Sequence, residues 1–292
     1  MFTGTYTALV TPFKNGKVDF KSFENLIKLQ LSSKVDGIVP CGTTGESPTL
    51  SHEEHNQVIE FAIKIAKGKA KVIAGTGSNS TSEAIKLSKH AEESGADGVL
   101  LVSPYYNKPT QEGLFLHYKK IANSIKIPCV LYNVPGRTSK EISSETIFRL
   151  SKIKNITTLK DATGNIDTGS EAINIVDKNF SVISGNDSIT LPLIAVGGKG
   201  VISVLSNILP KEVKKMVDLA LSGKISQAAK YHHKLWRLFN DIFVETNPIP
   251  IKTALYMAGI IETNDFRLPL CKMNNENKKI LVKAFNDFGY KF

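Results

Sequence analysis

An eightfold alternation constrains this chain more than any other feature. Short apolar runs ending in polar or glycine-rich turns recur as TYTALVTPF, GIVPCGTTG, KVIAGTGSN, GVLLVSPYY, PCVLYNVPG, ITTLKDATG, SVISGNDS and GVISVLSN. Between them lie amphipathic stretches such as SHEEHNQVIEFAIKIAK and STSEAIKLSKHAEESG. Both open with Ser-x-x-Glu, Ser51 with Glu54 and Ser80 with Glu83, the pattern of a helix capping box. Strands joined by single helices imply right-handed βαβ units and a parallel sheet. The strands are apolar throughout, as expected when both faces are covered. Eight repeats therefore predict an α/β chain folded as a (β/α)8 TIM barrel. A doubly wound open sheet competes, but no GxGxxG follows the first strand to support it. Beyond the eighth strand only helical patterns remain. Residues 1–223 are read as the barrel and 224–292 as a small helical region packed on it, because no Ser/Gly-rich linker separates the two.

Composition excludes several classes. Net charge is +10, yet the basic residues are nearly all lysine and are scattered over helical faces; Arg137, Arg149, Arg237 and Arg267 are the only arginines. Nucleic-acid binding would want arginine forks and a concentrated basic stripe, so no nucleic-acid partner is expected. No apolar run approaches the roughly 20 residues that span a bilayer, so no membrane partner is expected either. The start MFTGTYTALV has no basic segment ahead of its apolar stretch and reads as a first strand, giving the expectation of a cytoplasmic protein. Cys41, Cys129 and Cys271 are far apart and form no CxxC pair. They are read as small apolar residues, with no disulfide or zinc framework.

In a (β/α)8 barrel the chemistry sits at the C-terminal strand ends. Here these read Thr43-Thr44-Gly45-Glu46, Tyr105-Tyr106-Asn107, Tyr132-Asn133, Lys160-Asp161 and Gly185-Asn186-Asp187. Lys160 ends a strand that should otherwise be greasy. A lone lysine there is ordinarily a solvated strand end. Among tyrosines and threonines at one mouth it suggests an imine-forming nucleophile, because a lysine amine attacks a ketone only when deprotonated, and a desolvated site favours that form. Imine formation also needs a proton shuttle. Tyr132, with Thr43 and Tyr106 nearby, offers one. Glycines in GTTGES would expose backbone N–H groups suited to a carboxylate.

GTTGES, SPYYNKPTQEG, YNVPGRT, LKDATG and GVISVLSN, in that order, resemble the dihydrodipicolinate synthase and N-acetylneuraminate lyase family of pyruvate-dependent class I aldolases. The likeness covers nearly the whole chain and thins after about Trp236. GxxGE marks the whole superfamily, whereas YNVPGRT and the paired tyrosines before NKP point to its synthase branch. The resemblance implies that Lys160 forms a Schiff base with pyruvate, with no metal and no organic cofactor. It implies that Tyr132 donates and accepts protons in a relay with Thr43 and Tyr106, the last reaching across a dimer interface. Thr44 would hold the pyruvate carboxylate, and Gly185 and Ile202 would line the pocket. Arg137 would receive the carboxylate of L-aspartate 4-semialdehyde, a role that suits a guanidinium fork. Feedback-inhibited members bind L-lysine at positions matching Ser47, Pro48, His52, His55, Asn79, Glu83 and Tyr105; Pro48 stands where many sensitive members carry alanine. HEEH, by contrast, is not HExxH and offers no third metal ligand. The resemblance further implies a homo-oligomer, a dimer of dimers. Lys160, Tyr132 and Thr44 are also compatible with a sister aldolase acting on sialic acid or a keto-deoxy sugar acid. An amino-acid sensor without catalysis is a third reading, against which the intact Lys160, Tyr132 and Thr43 set argues.

Overall fold

The computed structural model describes all residues from Met1 to Phe292. Eight parallel strands close into a barrel: β1 Gly4–Ala8, β2 Gly37–Val39, β3 Lys71–Gly75, β4 Gly98–Val102, β5 Cys129–Asn133, β6 Ile156–Asp161, β7 Ser181–Ser184 and β8 Gly200–Ser203. These are the eight runs read from the sequence. The seam is β8 against β1, with Gly4 opposite Gly200. Side chains are excluded at that pair: a Cβ on Gly200 would sit 2.0 Å from the Gly4 carbonyl oxygen. Both residues have positive φ, which glycine adopts without the steric cost that other residues meet.

The barrel helices are α1 Phe20–Ser32, α2 His52–Ala66, α3 Thr81–Glu93, α4 Gln111–Ala122, α5 Ser144–Ser151, α6 Ile166–Ile175, α7 Thr190–Ala195 and α8 Pro210–Leu221. Three more follow: α9 Ile225–Asp241, α10 Ile249–Met257 and α11 Asn275–Phe288. Alternation along the strands sorts side chains into two cores. Tyr6, Val39, Ile73, Leu100, Val130, Tyr132, Ile183 and Ile202 point inward, with Phe2 closing the bottom. The larger cluster fills the layer between strands and helices. It also includes Leu235, Phe239, Leu255, Leu281 and Phe285 from the last three helices, so the chain after residue 223 shares the barrel's outer core. No helix is long and apolar enough to cross a membrane.

One of the two expected capping boxes forms. Ser51 Oγ accepts from the Glu54 amide at 3.2 Å, and the Ser51 amide donates to Glu54 Oε2 at 3.0 Å. Ser80 precedes α3 but makes no side-chain bond to its amides. The Glu83 carboxylate is taken by Ser78 Oγ and by His52 Nε2 at 2.8 Å, so it does not turn back to Ser80. Ser51→Ala should therefore destabilise the protein by about 0.5–2 kcal/mol. Ser80→Ala should be close to neutral. Thermal denaturation of the two variants checks the contrast.

Candidate active site

The site is built on the inward face of β6. Thr158 Oγ1 meets Ser181 Oγ of β7 at 2.9 Å inside the barrel. Two residues further along the same face is Lys160, buried at the C-terminal mouth. Strand pairing places Tyr132 of β5 directly opposite it, and Lys160 Nζ lies 3.9 Å from the centre of the Tyr132 ring. That distance is within cation–π range. On the other side, Gly185 follows β7 and donates its amide to the Asp161 carbonyl at 2.6 Å. A Cβ at Gly185 would stand 2.9 Å from Lys160 Cε, so a side chain there would crowd the lysine. Ile202 is fully buried in the inner cluster with Tyr132 and Ile183. Asp187, two residues past Gly185, is also buried. Its carboxylate accepts from Ser203 Oγ and from the amides of Val204 (2.9 Å) and Leu205 (3.3 Å). Burial pushes its carboxyl up; those hydrogen bonds and the Lys160 charge act in the opposite sense.

The GTTGES segment leaves β2 as two short 3₁₀ turns, Thr43–Gly45 and Ser47–Thr49, hinged at Glu46 with φ of 53°. Thr44 is buried, and its Oγ1 accepts from Asn247 Nδ2 at 3.0 Å. A hydroxyl has one hydrogen, so this bond leaves that hydrogen free to donate to a ligand. Arg137, on the single helical turn Pro135–Thr138 after β5, is exposed. Its Nη2 donates to the Asn247 carbonyl at 3.2 Å. Asn247 thus joins Thr44 to Arg137. Sequence reasoning missed it because it lies 203 residues from Thr44, in a segment with no strand-end signature.

Ser47, Pro48, His52, His55, Glu83 and Tyr105 line one cavity of about 340 Å³, and Thr43 and Arg137 line it too. Asn79 is not in its wall; its Nδ2 donates to the Tyr105 carbonyl at 3.3 Å. The cavity is polar and tuned. The hydrogen bond from Ser78, with help from His52, holds the Glu83 carboxyl below its usual range. Burial pushes the Tyr105 hydroxyl up and the His55 ring down. The two histidines do not converge as metal ligands, since His55 Nε2 bonds the Gly75 carbonyl at 2.8 Å while His52 faces Glu83. Tyr106 is not in the wall of this cavity and is 91% exposed, with φ of 70°. Within the single chain no hydrogen bond links Tyr132, Thr43 and Tyr106.

The model of the dihydrodipicolinate synthetase family matches residues 1–287. The chain belongs to this family. It is 55% identical over 290 residues to the 4-hydroxy-tetrahydrodipicolinate synthase of Endomicrobium trichonymphae, covering 99% of each chain. The dihydrodipicolinate synthase of Acinetobacter baumannii, solved in complex with pyruvate, superposes with a TM-score of 0.97 at 44% identity over 100% of both chains. The synthase of Cyanidioschyzon merolae with lysine bound gives 0.96 at 38% identity, covering 99% of each. Within this family fold, the space that Gly185 leaves beside Lys160 Cε makes a direct test. Gly185→Ala should cut reductive trapping of pyruvate at Lys160 by at least about tenfold while the circular dichroism spectrum is retained. Mass spectrometry after borohydride treatment measures it.

Proposed function

We propose that this chain is a lyase that condenses pyruvate with L-aspartate 4-semialdehyde to give 4-hydroxy-tetrahydrodipicolinate, on the route to diaminopimelate and lysine. The observation that carries the reading is the buried Lys160 stacked on Tyr132 at the barrel mouth, with Gly185 leaving room beside its Cε. Family membership supplies the reaction class.

The Lys160 amine attacks C2 of pyruvate, and the carbinolamine loses water to form an iminium. Thr44, its hydroxyl hydrogen left free by Asn247, donates to the pyruvate carboxylate. The iminium accepts the electron pair released when a methyl proton leaves C3, so the protein's own amine is the electron sink and no cofactor is required. The resulting enamine attacks the semialdehyde carbon, forming the new C–C bond, and its oxygen takes up a proton. The substrate's amino group then attacks C2, expels Lys160 and closes the ring. Tyr132 moves the protons in these steps, with Thr43 and the partner subunit's copy of Tyr106 completing the relay. Arg137 receives the semialdehyde's carboxylate.

An exposed tyrosine in a left-handed conformation supports the reading that Tyr106 serves another subunit, and hence a dimer, with a dimer of dimers as the full assembly. The polar cavity lined by Glu83, His52 and Tyr105 has the chemistry for an amino acid: a carboxylate for its ammonium, and donors for its carboxyl group. L-lysine is the effector we assign to it.

Pyruvate with borohydride should add one reduced pyruvate per chain, on Lys160. Labelling elsewhere, or undiminished labelling of Lys160→Ala, would sink the reading. Arg137→Ala should leave that trapping intact but cost about 1.5–3 kcal/mol in kcat/KM for the semialdehyde. Tyr106→Phe and Lys160→Ala subunits, each inactive alone, should regain activity on mixing, because one site of the mixed dimer has both an intact Lys160 and a partner's Tyr106. Verified heterodimers that stay inactive would remove the cross-subunit role.

A further inference from the structure

Beneath the GTTGES turn lies a second buried lysine that the reaction does not use. Lys252, on α10, pairs with Glu46 at 2.6 Å, and neither side chain has any solvent exposure. The ammonium lies 4.2 Å from the ring centre of Phe13 and 4.9 Å from that of Phe266. The other Glu46 oxygen accepts from the Arg267 amide at 3.4 Å. Arg267 in turn forks onto Glu54 of α2 with two contacts of 2.6 Å and donates to the Thr49 carbonyl. The segment from Asn247 to Arg267 therefore grips one stretch of chain, residues 44–54, at Thr44, Glu46, Thr49 and Glu54.

Net stability is a weak reason for such a pair. Desolvating two charges costs about what their attraction returns, and apolar replacements of similar volume are often neutral or stabilising. Geometry is a stronger one. Glu46 is held at φ of 53°, a left-handed conformation that is strained for a non-glycine residue. It sits between Thr44, which faces the pyruvate site, and Ser47, which faces the cavity. A buried, directional ion pair at that residue fixes how the two turns are angled.

We propose that Glu46 and Lys252 are positioning residues for this reaction, locking the Thr43–Thr44 turn so that Thr44 presents its hydroxyl to the pyruvate carboxylate. The proposal rests on the function proposed above. Its signature lies in pH. Burial pushes Lys252 down to about 8 from an ordinary 10.5. Glu46 and Asp265 oppose that shift, and Arg267 reinforces it. Above about pH 8 the lysine loses its charge and the lock loosens. Stability moves the other way: between about 8 and 10.5 the unfolded chain binds the extra proton, so this group's contribution to stability rises with pH. A lock that fails while the fold gains is not the behaviour of a merely structural pair.

The test measures KM for pyruvate, kcat and Tm from pH 6.5 to 9.5 in the unaltered chain, in Glu46→Gln and in Glu46→Gln/Lys252→Met. The unaltered chain should show pyruvate KM rising above about pH 8 with no matching fall in Tm. Glu46→Gln should raise KM about tenfold at pH 7, with kcat changed less than about threefold, and its KM should be level across the range. If Glu46→Gln does not fold, the double variant, which buries no charge, should fold and show the same raised, level KM. A level KM in the unaltered chain would overturn the positioning role. So would a folded variant with unaltered KM, or variants in which KM, kcat and Tm all decline together. Normal borohydride trapping of pyruvate alongside any of these outcomes means that only the positioning role has failed. Absence of trapping in the unaltered chain would instead remove the reaction itself, and this inference with it.

Discussion

The pairing of β5 with β6 is the contact on which the site depends. It sets Tyr132 opposite Lys160, and the period-two alternation of strands then turns both side chains into the barrel. A register slip of one residue would turn Lys160 into the outer core and Asp161 inward. Tight packing prevents this: Val130 and Leu131 pair with Thr158 and Leu159 just below, and every one of these residues is fully buried. The lysine is therefore placed by the same burial that stabilises the sheet.

Around that fixed pair the remaining groups arrive on loops, as barrel architecture allows. The β2 loop contributes Thr43 and Thr44 to one side and Ser47 to the other. The cavity lined by Ser47, His52, His55, Glu83 and Tyr105 also reaches Thr43 and Arg137. A ligand in that cavity would press on Thr43 and Arg137, both of which we propose for the reaction, giving a short physical route for coupling. No long chain of contacts is needed.

The chain after the barrel is more than a cover. Asn247 orients Thr44 and holds Arg137 through its carbonyl, while Lys252 and Arg267 reach Glu46 and Glu54. Three of them, to Thr44, Glu46 and Glu54, join residues between 203 and 213 positions apart in the chain. They tie the last part of the chain to its first third, consistent with the single outer core that both parts share.

By itself the sequence determined the barrel and its mouth. Apolar runs at eight strand positions, separated by helical periods, leave few other packings; the strand-end rule then pointed to Lys160, Tyr132 and Thr44, and the family resemblance added Arg137. The capping box at Ser51 was legible because it is local, closed within four residues. The one at Ser80 failed for the opposite reason: Glu83 is drawn to Ser78 and to His52 on another helix, a competition that no local pattern records. Asn247 and Lys252 were hidden in the same way, and so were the partners of Glu46 and Asp187, which the sequence marks only as strand-end residues. Each is an ordinary polar residue in sequence and acquires a role only from a partner in another part of the chain, for Asn247 and Lys252 about 200 residues away. Tertiary structure decided these because hydrogen bonds and ion pairs act over a few ångströms of space, whatever the distance along the chain.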